Sequence, residues 1–186
     1  MSDGLPATVD LSGRVSLVTG ATGGMGRVVA AELAHLGSTV VVVSRTAHGG
    51  DALRTEIADR VGADRVEVLT ADLAVQADVR RLAAGFAERH DALHLLVNNA
   101  GAHYRQRLLG PDGVELHLAV NHLAGFLLTN SLLEHLHAGA RATSTPSRVV
   151  NLVSATMGDT RQLKILPRPR PVTLNPTDLS HPARLN

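Results

Sequence analysis

An unbroken run of five β-branched residues, at positions 39–43, is the feature that most limits the folds open to this chain. A strand with one solvated face alternates apolar and polar residues, whereas a continuous apolar run is typical of a strand covered on both faces by helices. The run therefore predicts a parallel sheet. Shorter apolar runs predict four further strands, at residues 15–18, 66–69, 93–97 and 148–154.

Helical periodicity fills the segments between these strands. Apolar residues recur every three or four positions there, as on the buried face of a helix; in the first segment they are Val28, Val29 and Leu33. The order β-α-β-α-β-α-β-α-β predicts an α/β fold with a doubly wound parallel sheet and right-handed crossovers. The four predicted helices run from Met25 to about Gly37, from an N-cap at Asp51 to Gly62, through residues 79–86, and over residues 114–137.

We expect one domain over residues 1–157 and an irregular tail over residues 158–186. The length of 186 residues suits one ordinary domain, and 44% hydrophobic residues exclude disorder of the whole chain. Five of the eight prolines lie between Pro167 and Pro182, where they prevent a helix or a central strand. The Arg-Pro run at residues 168–171 is expected to be a solvated loop, and a polyproline ligand is the alternative.

Charge and composition exclude several classes of function. Eighteen basic and 17 acidic residues leave a net charge of +1, which argues against a nucleic-acid binder. The lack of cysteine excludes disulfides, thiolate metal sites and a cysteine nucleophile. No apolar run reaches the roughly 18–20 residues of a membrane span, and the N-terminus lacks a signal-peptide pattern, so we expect a cytoplasmic protein.

The ten histidines do not form a metal-binding pattern. His135 and His137 are two residues apart on a helix and point in different directions. His90 and His94 span a predicted helix-to-strand transition without an acidic motif between them. We therefore expect no metal site. Nor does a Gly-x-Ser-x-Gly elbow surround Ser154, which excludes a serine hydrolase of that type.

A glycine-rich turn lies between the first predicted strand and the first helix. A dinucleotide pyrophosphate needs a tight turn, an approach to the backbone without an obstructing Cβ, and free N–H groups at a helix N-terminus. The spacing Gly-x-x-x-Gly-x-Gly differs from the commoner Gly-x-Gly-x-x-Gly. A flexible turn without a ligand is the alternative. The residues assigned to the pyrophosphate are Gly20, Thr22, Gly24, Met25 and Gly26.

Further motifs follow this turn in order: Asp72-Leu73 after the third strand, Asn98-Asn99-Ala100-Gly101 after the fourth, Asn121 in the fourth helix and Ser154 at the end of the fifth strand. Over residues 11–154 these motifs resemble the short-chain dehydrogenase/reductase family. Residues 120–130 are most similar to its retinol-dehydrogenase-like branch. The resemblance implies a Rossmann-type sheet, incomplete here after the fifth strand, and hydride transfer between a nicotinamide cofactor and an alcohol or carbonyl.

The resemblance also implies a role for each motif in cofactor binding. Asp72 accepts a hydrogen bond from the adenine amino group and Leu73 lies against the ring, although Asp72 is also a candidate helix N-cap. Asn99, Ala100 and Gly101 line the riboses. An Asn99 that only braces the sheet backbone is compatible with this role.

Two positions are implied to act in catalysis. Ser154 hydrogen-bonds the substrate carbonyl, and Asn121 holds a water that connects the active site to solvent. The family's proton donor is a tyrosine in a Tyr-x-x-x-Lys pattern, in which the lysine lowers the tyrosine's pKa, since free tyrosine is a poor base near neutral pH. The chain has one tyrosine, Tyr104, and one lysine, Lys164, which are too far apart to form this pair.

Two explanations account for the missing pair. Residues 175–179, Asn-Pro-Thr-Asp-Leu, resemble the segment that precedes the tyrosine in the retinol-dehydrogenase-like branch, so we favour a fragment that ends ahead of its catalytic helix. A natural short form with a diverged tail is the alternative. In either case we expect little or no activity from this chain, and a non-catalytic dinucleotide-sensing module or an inert fragment remain alternative functions.

The end of the second strand predicts the cofactor. Enzymes that use NAD usually place a carboxylate there to bind the adenosine 2′-hydroxyl. Here the strand ends at Arg45, and no carboxylate follows before Asp51. A guanidinium pairs with a 2′-phosphate, so NADP is expected rather than NAD, although Gly23 stands where NADP-dependent relatives often have a basic residue.

The expected partner is a small lipophilic alcohol, aldehyde or ketone. Homo-oligomers are expected for a full-length relative and are doubtful for this chain. An unpaired edge is expected at the fifth strand, where exposed backbone groups invite association.

Overall fold

The computed structural model describes residues 9–62 and 65–153 of the chain. Within these residues five parallel strands form one sheet in the order β3-β2-β1-β4-β5. This arrangement confirms the predicted doubly wound fold of the Rossmann type. The strands are β1 (Val15–Thr19), β2 (Thr39–Ser44), β3 (Val66–Thr70), β4 (Leu95–Asn98) and β5 (Arg148–Asn151).

The strand order reverses at β1, which pairs with β2 on one side and with β4 on the other. Val18 is aligned with Val42 of β2 and with Val97 of β4. In such a sheet the loops that leave the two inner strands turn to opposite faces and open a crevice at their carboxyl ends. This crevice is where a ligand is expected.

Helices cover both faces of the sheet. They are α1 (Gly24–His35), α2 (Ala47–Val61), α3 (Gln76–Ala87), the short α4 (Leu116–Leu118), α5 (Ala124–Ser131) and α6 (Leu133–Thr143), with a π-helical turn at Ala119–Leu123 between α4 and α5.

The core has one apolar cluster on each face. Phe86 of α3 and Leu128 of α5, both 0% exposed, belong to the cluster on one face, and Ile57 of α2 belongs to the other. All four valines of β2 are buried, two in each cluster, as the β-branched run predicts.

The buried face of α1 agrees with the predicted one in part. Val29 and Leu33 pack against the core, as predicted, but Val28 is 58% exposed. Ala30, Ala31 and Ala34 are buried, and so is Gly26 at the first turn. Small side chains allow the helix to lie close to the sheet, so close packing of small residues contributes to the buried face beside the predicted apolar ones.

Two of the predicted helices differ from the helices in the structure. Helix α2 begins at Ala47, with Thr46 as its N-cap, because the Thr46 hydroxyl accepts the Gly49 N–H at 3.2 Å; Asp51 lies inside the helix. The long helix predicted over residues 114–137 is interrupted by the π-helical turn and by a bend of 56° before Leu133. Strand β5 ends at Asn151, earlier than the predicted strand over residues 148–154. Ser154 and the predicted tail lie outside the described residues.

Strand β5 forms the edge of the sheet in the described part of the chain, and all four of its residues are exposed. Within the described residues, no strand pairs with the outer side of β5. Across residues 9–62 and 65–153, no single helix is long and apolar enough to cross a membrane; the bent pair Leu116–Ser131 and Leu133–Thr143 reaches that length and composition only when taken together.

Candidate cofactor-binding site

A cavity of about 660 Å³ opens at the carboxyl ends of β1 and β4, in the predicted crevice. Its size lies within the ordinary range of small-molecule and cofactor sites, about 300–1,000 Å³. The loop after β4 and the start of the helical run Leu116–Ser131 form one wall, with Tyr104, Leu116 and Val120. The predicted cofactor residues that line the cavity are Gly20, Thr22, Arg45, Asp72, Leu73, Ala100 and Gly101.

The glycine turn depends on close approach at two positions. Gly20 has φ +65°, and a Cβ on it would lie 2.8 Å from Ala100 Cα, so the turn after β1 lies directly against the turn after β4. A Cβ on Gly26 would overlap the Gly20 carbonyl and the Asn99 amide. These two glycines hold the shape of the turn, and neither tolerates a larger residue.

Gly24 differs from the other two glycines of the motif. Its φ is +55°, which favours glycine, but a Cβ there would meet open space. Gly24, Met25 and Gly26 are not among the residues that line the cavity. The geometry therefore assigns Gly24 a conformational role in the turn.

The N-terminus of α1 has no side-chain cap. Gly23 occupies the N-cap position, and no side chain accepts a hydrogen bond from the first turn. The first N–H groups of a helix lack partners within the helix, and phosphate groups commonly bind there. An uncapped helix end beside an open turn fits a pyrophosphate, so the residues present are compatible with a dinucleotide.

A buried hydroxyl joins β1 to β4 at this crevice. Thr19 is 3% exposed, and its Oγ1 accepts the backbone N–H groups of Asn99 and Ala100, both at 3.0 Å. The Asn99 amide donates to the carbonyls of Thr19 and Gly20 at 2.9 and 3.1 Å. Asn99 therefore braces the ends of the two strands and does not itself line the cavity. Sequence reasoning missed Thr19, whose position at the head of the glycine motif was the available signal.

The end of β2 presents a cation to the cavity. Arg45 is exposed and lines it, directly after Ser44, whose hydroxyl is buried and donates to the Thr46 carbonyl at 2.8 Å. Among the described residues that line the cavity, Asp72 is the one carboxylate, and it belongs to the β3 end. The side chain at the β2 end is therefore suited to an anion.

Asp72 holds the turn that follows β3. Its Oδ1 accepts the Ala74 N–H at 2.9 Å, and its own N–H donates to Asp78 at 3.3 Å. Helix α3 begins later, with Val75 at the N-cap position, so the helix-cap alternative for Asp72 is wrong. Asp72 and Leu73 both line the cavity, as an adenine site requires.

Asn121 lies in the π-helical turn, a feature that is frequent at functional sites. Its Oδ1 accepts the Ala102 N–H at 2.7 Å and its Nδ2 donates to the Ala102 carbonyl at 3.0 Å. The side chain therefore clamps the loop after β4. Ser154 and Lys164 lie outside the described residues, and among those described no group of three metal-ligating side chains occurs.

A family model described as short chain dehydrogenase matches residues 14–163 of this chain. The chain belongs to the short-chain dehydrogenase family. The curated relatives of this chain include polyprenol dehydrogenase from Mus musculus, 47% identical over 144 residues that make up 77% of this chain and 43% of the relative. Retinol dehydrogenase 11 from Homo sapiens is 40% identical over 148 residues, 80% of this chain and 45% of the relative.

Solved structures of the same family agree with the fold. A complex of RhlG with NADP from Pseudomonas aeruginosa has a TM-score of 0.64 at 32% identity, over 76% of this chain and 53% of that one. An NADH-dependent reductase, A1-R′, complexed with NAD has a TM-score of 0.63 at 30% identity, over 75% of this chain and 58% of that one.

The predicted family and its retinol-dehydrogenase-like branch are thereby confirmed, and so is an oxidoreductase family with a nicotinamide cofactor. The chain spans less than half the length of these two curated relatives.

Proposed function

We propose that this chain forms the cofactor-binding part of an NADP-dependent short-chain oxidoreductase that acts on lipophilic alcohols or carbonyls. The observation that carries the cofactor preference is Arg45, which lines the cavity at the end of β2 where no carboxylate stands. A guanidinium pairs with a 2′-phosphate, whereas it adds nothing comparable for a 2′-hydroxyl. When bound, the nicotinamide donates or accepts the hydride.

The chain's own residues divide the work of binding. The uncapped start of α1 and the turn at Gly20 receive the pyrophosphate, and Asp72 with Leu73 receives the adenine. The backbone of Ala100 and Gly101 borders the riboses, held in place by Thr19 and Asn99. The lipophilic substrate class is supported by the names of the relatives, retinol and polyprenol dehydrogenases.

The cofactor preference is tested by titrating the chain with NADPH and NADH and following cofactor fluorescence. We expect tighter binding of NADPH, and Arg45→Asp should weaken it by about 10–100-fold, the range for loss of a charge-assisted hydrogen bond. Arg80→Asp makes the same charge change on an exposed face of α3, outside the cavity, and should leave the affinity unchanged. Equal affinities for the two cofactors would refute NADP specificity, and a preference for NADPH that survives Arg45→Asp would refute Arg45 as its source.

We further propose that this chain alone binds cofactor without appreciable turnover. Tyr104 and Lys164 are sixty residues apart, so they do not supply the Tyr-x-x-x-Lys pair. Positioned acid–base catalysis typically contributes about 10²–10⁴-fold. A steady-state assay with NADPH and a panel of lipophilic aldehydes should therefore give rates near background.

Robust turnover that survives Tyr104→Phe would mean that another group donates the proton. Turnover that disappears in Tyr104→Phe would assign the role to Tyr104. Either result would refute the proposal, whereas cofactor binding with background rates also fits the second candidate, a dinucleotide-sensing module. Among the described residues, those that line the cavity all lie between Gly20 and Val120, and this observation favours the second candidate. A genomic reading frame that continues past Asn186 into a Tyr-x-x-x-Lys motif would favour the enzyme.

A further inference from the structure

The loop that leaves β4 crosses the start of the helical run Leu116–Ser131, and two side chains of that run bind its backbone. Asn121 clamps Ala102, and His117, one helical turn earlier, binds Tyr104. Residues four apart lie on the same helix face. Ala102 and Tyr104 both line the cofactor cavity, so this helix face fixes the backbone of one cavity wall.

The hydrogen bonds of His117 define which ring nitrogen carries the proton. Nε2 accepts the Tyr104 backbone N–H at 2.9 Å, so in the neutral ring the proton is on Nδ1. Nδ1 lies 2.6 Å from Glu115 Oε1 and donates to it. The carboxylate therefore orients the ring with its acceptor nitrogen toward the loop.

Glu115 is held in turn by the helix that it caps. Its Oε2 accepts the Leu118 N–H at 2.9 Å. The hydrogen bond from the Leu118 N–H, followed by that from His117, lowers the pKa of Glu115 to about 2. Glu115 is therefore ionised at neutral pH and well below it, and it keeps its hydrogen bond to His117 there.

The rings around His117 come from the same loop. The Tyr104 ring packs edge-on against His117 with 5.3 Å between centroids, and the His103 ring does so at 5.8 Å. The titratable groups that face His117 are therefore Glu115 from its own helix and His103 and Tyr104 from the loop. His117 thus contacts both the main chain and the side chain of Tyr104.

We propose that His117 is a positioning residue, which fixes the cavity wall at Tyr104 by accepting its backbone N–H and does so only while its ring is neutral. Protonation of Nε2 turns the acceptor into a donor, and the bond to Tyr104 is lost. The expected effect of His117 on cofactor affinity rests on the proposed function, whereas its expected effect on the loop after β4 does not.

The first test measures hydrogen exchange at the Tyr104 amide in the full chain without ligand. His117→Leu should accelerate this exchange about tenfold, the equivalent of one hydrogen bond. His117→Gln keeps an acceptor at the position of Nε2 and should stay close to wild type. His122→Leu makes the same change at an exposed histidine one turn farther along and should have no effect on Tyr104.

The second test compares NADPH affinity and Tyr104 protection between about pH 8 and about pH 5, the range in which histidine side chains take up a proton. Wild type should lose protection of Tyr104 and bind NADPH more weakly as the pH falls. His117→Gln should show neither change, because glutamine keeps the acceptor and takes up no proton, and this result separates the neutral ring's acceptor role from a purely structural one.

Unchanged exchange at Tyr104 in His117→Leu overturns the inference, and so does a pH dependence that persists in His117→Gln. If His117→Leu does not fold, the wild-type and His117→Gln profiles decide the matter. If the wild type does not bind NADPH, the proposed function fails, while the exchange experiment still supports or overturns the role of His117.

Discussion

Replacing Thr19 by valine tests the junction that brings β1 and β4 together at the cavity. Valine has the shape of threonine without the hydroxyl. The substitution removes the one acceptor shared by the backbone N–H groups of Asn99 and Ala100, and also the donor to the Val97 carbonyl at 3.3 Å. Because Thr19 is 3% exposed, water cannot replace the hydroxyl at its own position.

The magnitude follows mainly from the Ala100 amide, which loses its acceptor, whereas the Asn99 N–H keeps a second acceptor, the Val97 carbonyl at 3.0 Å. An unsatisfied buried donor costs about 1–3 kcal/mol, and Ala100 is only half-buried, which places its amide toward the lower end of that range. Loss of the hydroxyl's own hydrogen bond to Val97 adds about 0.5–1.5 kcal/mol. We therefore expect Thr19→Val to lower the free energy of unfolding by about 2–3 kcal/mol. Thr19→Ser keeps the hydroxyl and removes one methyl group, for a loss of about 1 kcal/mol.

The two variants are compared by urea unfolding, followed by far-UV circular dichroism, and by NADPH titration. Thr19→Val should be the less stable by roughly 1–2 kcal/mol and should bind NADPH more weakly, because Ala100 lines the cavity. Thr19→Ser should bind close to wild type. Equal stabilities of the two variants would show that the hydroxyl of Thr19 does not contribute to the free energy of unfolding, and the account of the junction would be wrong.

Two further predictions concern the glycine turn and the base of β4. Gly26→Ala, whose Cβ would overlap backbone of the same turn, should lower the free energy of unfolding by about 1–3 kcal/mol and weaken NADPH binding. At Gly24 a Cβ faces open space, so Gly24→Ala should cost only about 1–2 kcal/mol, the strain of its positive φ. A larger loss in Gly24→Ala than in Gly26→Ala would contradict the geometry. Burial, and then the charge of Arg14, lower the pKa of His94, whose Nδ1 accepts the Val15 N–H at 2.9 Å. The unfolded state therefore takes up the proton more readily, so stability present above about pH 6.5 should be lost as the pH falls below it, and urea unfolding of His94→Asn should lack this dependence.

The sheet could be predicted because its signal is local and redundant. A run of β-branched residues such as 39–43 is explained only by burial on both faces, and each strand alternates with a helical segment. Helix starts were less certain, since Thr46 and Asp51 are both good N-caps and the choice depends on which oxygen reaches an N–H of the first turn. The π-helical turn around Asn121 left no periodic signal, because one inserted residue shifts the pattern without breaking it.

The contacts that shape the site were harder to predict than the residues that line it. Motif order located Asp72, Ala100 and Gly101, because these positions follow directly from strand ends. In contrast, the bond between His117 and Tyr104 joins a side chain to a backbone amide 13 residues away. Neither residue type requires the other, so no spacing rule connects them. Such contacts depend on how a loop returns to the sheet, which follows from tertiary packing.

We expect cofactor binding and chemistry to be separable in this chain, because different kinds of contact would produce them. The cavity is lined by residues between Gly20 and Val120, and the groups that hold its walls bind backbone atoms of neighbouring segments. Its shape therefore depends on the sheet and the start of one helical run. A proton donor for hydride transfer needs a lowered pKa and a position within hydrogen-bond reach of the substrate, conditions that a Tyr-x-x-x-Lys pair would meet. Tyr104 and Lys164 are sixty residues apart in the sequence and do not form that pattern. We therefore expect substitutions at Thr19 or His117 to change cofactor affinity whether or not turnover can be measured.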